Sequence, residues 1–254
     1  TRLYLALIHL QIISSAPRAL NDKETRAIME ADLKSLAALK HSITTGAKSE
    51  EPGMTSVLSL FDDYIHDATL ELQRGNMEYV RHRVRTLGNF CLTCHSRVST
   101  SKDFEDVENR ISKLSLPDFE KAELYASTRQ FDKAIASYRL FFEKQPTDEM
   151  DFIHFTRALR SYVRLLVRVK PEPEQIAKTL AALSKRKGLP EFDLRMIRAW
   201  QEEVSVWEKD KTPATDLNSE ALLKRAKGLI ERAQEHQAFP EDESGDISYL
   251  RASG

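Results

Sequence analysis

Four segments before residue 100 are spaced so that only helices can use them. Ile28, Met29, Leu33, Leu36, Leu39 and Ile43 form one apolar series; Leu58, Phe61, Ile65, Ala68 and Leu72 form another. Val80, Val84, Leu87, Cys91 and Cys94 form a third. Steps of three and four line residues along one helical face, whereas a strand would alternate every second residue. Asn21-Asp22 is the expected N-cap of the first series, "TTGAKSEEPGM" ends it, and "RGN" at 74–76 separates the other two. The apolar opening "TRLYLALIHLQIISSAPRAL" completes a set of four. It reads either as a buried first helix or as a signal-derived remnant or anchor, with its basic residue, short apolar run and small residues. Four helices with short connections predict an antiparallel bundle.

The rest of the chain is helical in a different way. With only 8 glycines and 9 prolines in 254 residues, a turn-rich β fold is disfavoured, and the abundance of Ala, Leu, Lys, Arg and Glu favours helix. After "STSKDF", helices are expected at about 104–115, 118–128, 131–145, 149–169, 173–187, 191–209 and 216–236. Pro117, Pro146, Pro171, Pro173, Gly188-Leu189-Pro190 and Pro213 punctuate them. Within "AELYASTRQFDKAIASYRLFFEKQP", Ala122, Tyr125, Ala134, Tyr138, Phe141 and Pro146 resemble one tetratricopeptide (TPR) unit. A single copy leaves an ordinary helical hairpin open as the other reading. The expected fold is all-α: a helical bundle over 1–102, followed over 103–254 by a TPR-like helical-hairpin domain suited to protein interaction.

Both cysteines of the chain lie in "GNFCLTCHSR", residues 88–97. A structural zinc site needs four ligands, and there is no second cysteine pair to supply them. A redox dithiol would sit at a helix N-terminus after a strand, not at the end of a long amphipathic helix. Cys91-Leu92-Thr93-Cys94-His95 instead has the form of a c-type haem attachment motif. Two thiols three residues apart on a helical turn can add to the two vinyl groups along one porphyrin edge. The adjacent imidazole then reaches the iron from the same side, so His95 is the expected proximal ligand. One covalent haem c is the cofactor this implies.

A motif near the end of the fourth helix of a bundle resembles the cytochrome c′ and b562-like four-helix family, over roughly residues 1–100. Gly88, three residues before Cys91, is similar to the small residue that lets the macrocycle lie against the helix in that family. Val98 and Ser99 stand where the family carries an aromatic and a basic residue, with Arg97 as the nearby base. Arg81, Arg85 and Arg97 flank the motif as possible propionate partners. For the distal iron position the sequence offers Met29, on an apolar face, and His9, in an apolar segment where an imidazole needs a partner. It does not choose between them, and Met54 also stays open.

A net charge of −1 argues against a nucleic-acid binder relying on attraction to phosphate, and no apolar run is long enough for a membrane-spanning helix. Paired acids, a nucleophilic triad and a phosphate loop are all missing, so the expectation is a carrier or binding protein rather than an enzyme. Electron transfer leads, with the helical-repeat domain docking a redox or scaffold protein partner. A haem-based NO or CO sensor and a structural adaptor are the alternatives. Covalent haem implies a periplasmic or cell-surface location in a bacterium.

Overall fold

The apolar rhythm does produce helices throughout. A computed structural model describes residues 2–15, 22–38, 54–95, 105–144, 149–210, 216–236 and 246–252; these contain twelve helices and no strand. The chain forms two compact units, 1–134 and 135–254.

The first unit begins with α1 (Arg2–Ser15), α2 (Lys23–Ala37), α3 (Met54–Arg74) and α4 (Met77–His95). Each packs on the next and α4 closes back on α1, making a ring of four helices around one core. Met29, Leu33 and Leu36 enter that core from α2; Leu58, Phe61, Ile65, Ala68 and Leu72 from α3; Val80, Val84 and Leu87 from α4. Asp22 is the N-cap of α2: its carboxylate accepts the Thr25 backbone N–H at 2.8 Å and the Thr25 hydroxyl at 2.9 Å. That bond holds the Asp22 carboxyl below its usual range.

Gly75 ends α3 at φ +82°. Its N–H donates to Leu72 O and the Asn76 N–H to Glu71 O, a Schellman closure that needs a left-handed residue at that position. The chain then turns directly into α4. Phe61 meets Phe90, Tyr64 bonds Thr86, and Asp67 meets both Tyr79 and Arg83, so α3 and α4 run antiparallel. The Tyr79 hydroxyl, with Arg83 behind it, keeps the Asp67 carboxyl below its ordinary value. On the other side of α4, the Gln11 amide donates to Val84 O and Arg81 Nε to Ser14 O, so α1 is antiparallel to α4 as well.

The packing of the first unit continues past residue 102. α5 (Glu105–Ser112) packs on α6 (Asp118–Ser127), and α6 packs along α4. Arg85 meets Glu120, and Glu123 lies over Gly88; equal steps of three on both helices make α6 parallel to α4. The compact units divide at 134/135, inside α7 (Phe131–Glu143). Ala122, Ala134 and Tyr138 of the TPR-like segment are buried, with the segment shared between the two units. Pro146 lies outside the described residues.

In the second unit α8 (Glu149–Arg168) packs on α9 (Pro173–Leu183), and α9 on α10 (Glu191–Lys209). Phe142 sets its ring edge-on to Phe155 and Tyr162, and Trp200 is buried on α10. α11 (Ser219–His236) packs on α12 (Asp246–Ala252), which also meets α8 and α10. The sequence gives no hint of α12, whose seven residues are too short to show a period. It is held by Ile247 in the core, by the Ser248 N–H donating to Glu203 at 2.6 Å, and by Arg251 paired with Asp210 at 2.7 Å.

Candidate functional site

α4 is one unbroken helix from Met77 through the whole Cys-Leu-Thr-Cys-His motif. At 100° per residue, Cys91, Cys94 and His95 occupy the positions that continue the buried Val80–Val84–Leu87 series. Cys91 is half-buried. The motif therefore extends the core-facing stripe of α4 to the end of the bundle remote from Gly75. The register of α3 against α4, continued two turns outward from Phe61 and Phe90, brings the first turn of α3 level with the motif. Immediately before Cys91, Phe90 packs on Phe61 at 5.9 Å and Tyr64 at 4.9 Å between ring centroids, closing the α3–α4 seam. Sequence reasoning placed Phe61 on the apolar stripe but left out Tyr64 and Phe90; their signal is that each falls beside the apolar stripe of its own helix.

The residues expected around the motif fall in different places. Gly88 is buried, and a Cβ there would meet Glu123 Oε2 at 3.2 Å. Its small size serves the approach of α6 rather than a macrocycle lying on that spot. Arg81 donates to the last turn of α1 at 2.8 Å, where a cation suits the exposed carbonyls. Arg85 meets Glu120 at 2.5 Å, with side chains 18% and 8% exposed. Both arginines tie helices together. Arg97 lies outside the described residues, as do Val98 and Ser99.

The two distal candidates, His9 and Met29, differ in burial. His9 is exposed, not buried among apolar neighbours: it stands on the outer side of α1 with Nδ1 3.5 Å from Asp32. Burial pushes the Asp32 carboxyl above its usual range, while His9 pulls it down. Met29 is fully buried, but its neighbour Glu30 bonds Gln73 near the Gly75 turn. Periodicity assigned Met29 to the buried face of α2.

The donor set itself fits one haem c: two thiols three residues apart on one helical face, an imidazole position beside the second, and an apolar core running up to them. Among the described residues no group of three or more His, Cys, Asp or Glu side chains is placed to hold a metal ion, and no helix is long and apolar enough to cross a membrane. In the second unit, Arg157, Arg160, Arg164 and Arg168 are half-buried. Arg160 acts on Asp193, whose carboxyl is raised by burial and accepts the Thr156 hydroxyl at 2.7 Å.

No protein-family model, curated protein or solved structure matches the chain.

Proposed function

We propose that this chain is a monohaem c-type cytochrome that carries single electrons, and that its second helical unit docks a protein partner. The observation that carries the proposal is positional. Both cysteines of the chain and the adjacent histidine lie in the last turns of an uninterrupted helix, at the positions that continue its buried Val80–Val84–Leu87 series, at the end of the four-helix ring remote from Gly75. Cys91 and Cys94 would hold the porphyrin edge as thioethers, and His95 would bind the iron. When bound, the haem supplies a reversible one-electron couple.

The protein's own residues set the conditions for that couple. Val84 and Leu87 beneath the motif, with Leu58 and Phe61 across from them, keep water from one side and favour the less charged state. The buried Arg85–Glu120 pair and the close Gly88–Glu123 approach lock α6 along α4, so the motif sits on a braced helix. A rigid mount keeps reorganisation small during electron transfer. Covalent attachment of this kind takes place outside the bacterial cytoplasm, so the working location is the periplasm or cell surface. The TPR-like character of the α6–α7 segment supports a docking role for the helical region that follows.

The test is spectroelectrochemistry on the intact chain produced with a c-type haem attachment system. A carrier cycles reversibly between two spectra with one electron per chain. A haem-loaded chain that takes up CO in its ferrous form and fails to cycle reversibly would instead be the gas sensor.

A further inference from the structure

The last helix of the second unit is held the way a bound peptide is held. α12 has seven residues, a length that does not stay helical on its own in water. Of its apolar side chains only Ile247 is fully buried. The rest of the grip is polar and comes from one side of α10. Glu203, Trp207 and the C-cap Asp210 follow one another at steps of four and three, which places them on the same face. The buried Glu203 carboxylate accepts the Ser248 backbone N–H at 2.6 Å. Two turns on, Asp210 meets the Arg251 guanidinium at 2.7 Å, and the Trp207 ring lies under it at 5.0 Å. The Arg251 side chain is only 7% exposed. Arg225 of α11 meets the same Asp210 oxygen at 2.7 Å, so this carboxylate has a second cation to hold it in place.

A core is built from many interdigitated apolar side chains, whereas an interface relies on a few anchors, buried arginines and aromatics foremost. α12 follows the second pattern. It offers one aliphatic anchor, one arginine in an acidic and aromatic pocket, and one backbone N–H taken by a carboxylate. The stretch that joins it to α11, "QAFPEDESG" at 237–245, is composed of turn formers and acids for the most part. We propose that the groove where α12 lies against α8, α10 and α11 is a peptide-binding site filled in cis by α12. In trans it takes a partner's short helix that carries an aliphatic residue and, four places on, an arginine. α12 is then a built-in competitor. Its short connection holds it at an effective concentration on the order of millimolar, so a partner must bind more tightly than α12 to displace it. Lysine does not replace the arginine, because it cannot pair with Asp210 as a planar fork and lie flat on Trp207 at once. This deepens the docking role proposed for the second unit by naming the face and the chemistry it reads.

The experiment uses the full chain with a site-specific protease sequence placed within residues 240–244, and a fluorescein-labelled peptide of residues 246–252, DISYLRA. By fluorescence anisotropy the uncut chain should bind the labelled peptide about a hundredfold or more weaker than the cut chain, because the tethered copy fills the groove. After cutting, the fragment 246–254 should leave on gel filtration while the remaining chain keeps its helical circular dichroism. A labelled peptide carrying Arg251→Glu, and a cut chain carrying Asp210→Asn, should each bind about tenfold or more weaker. A cut chain that keeps its fragment, unfolds or ignores the labelled peptide makes α12 an integral part of the core and overturns the proposal. So does an uncut chain that binds as well as the cut one, or binding indifferent to either substitution. Haem takes no part in the assay, so these failures leave the electron-carrier reading to its own spectroelectrochemical test.

Discussion

Arg85 and Glu120 make the most consequential single contact around the motif helix. The Arg85 guanidinium lies 2.5 Å from Glu120 Oε1, and the side chains are only 18% and 8% exposed. Arg85→Met keeps much of the stem's volume but takes the guanidinium away from the Glu120 carboxylate in the seam between α4 and α6. Removing one partner of a buried pair costs about 3–5 kcal/mol. The partial exposure of Arg85 lets water take back some of that, so the expected loss is about 3 kcal/mol, a large part of a typical domain's stability. Arg85→Met with Glu120→Leu removes both charges and should return to within about 1 kcal/mol of wild type. The assay is urea unfolding followed by far-UV circular dichroism. The fluorescence of Trp200 and Trp207, which both lie in the second unit, serves as an internal reference. A single-variant loss below about 1 kcal/mol would put the pair in the class of exposed ion pairs and refute the reasoning. So would a double variant no more stable than Arg85→Met.

Glycine positions give predictions of opposite sign. Gly75→Ala puts a Cβ on a residue at φ +82° with no neighbour within 4 Å, so its cost is backbone strain alone, about 1 kcal/mol in thermal unfolding. Gly228→Ala, in the interior of α11 and equally free of neighbours, should stabilise by about 0.5–1 kcal/mol in the same assay. Asp193→Asn tests the buried carboxyl of the second unit. Because burial raises its folded value, the folded state holds the proton more tightly, so the charged form weakens the fold as pH rises above the ordinary carboxylate value of 3.8. Asparagine can still accept the Thr156 hydroxyl, so the variant should unfold at higher urea than wild type at neutral pH. The two should converge as the pH is brought below 3.8; a difference that grows on acidification would contradict the sign.

Much of this molecule could be read from residue spacing. The bounds of α4, α6 and α10, the Asp22 cap and the Gly75 stop all follow from local chemistry that acts within a few residues. What spacing does not contain is the level at which one helix meets another. Met29 belongs to an apolar stripe, and only contacts between helices, such as His9 with Asp32 and Phe61 with Phe90, fix how the helices line up along the bundle. The same gap explains Gly88, Arg81 and Arg85. Their types suit a haem edge, but α6 and the end of α1 are the neighbours that meet them. His9 lies in an apolar segment yet on its outer side, since α1 carries apolar residues almost all round and its sequence does not show which face turns inward. The unit division inside α7 was hidden because α6 packs on α4, far from it in sequence.

The most direct test of the central proposal is the absorption spectrum of the denatured, reduced protein after export alongside a bacterial c-type haem attachment system. Covalent attachment predicts one haem per chain that survives denaturation and acid–acetone extraction, and is lost when Cys91→Ala and Cys94→Ala are combined. A wild-type chain that emerges without covalent haem, while a control c-type cytochrome is matured in the same cells, would contradict it.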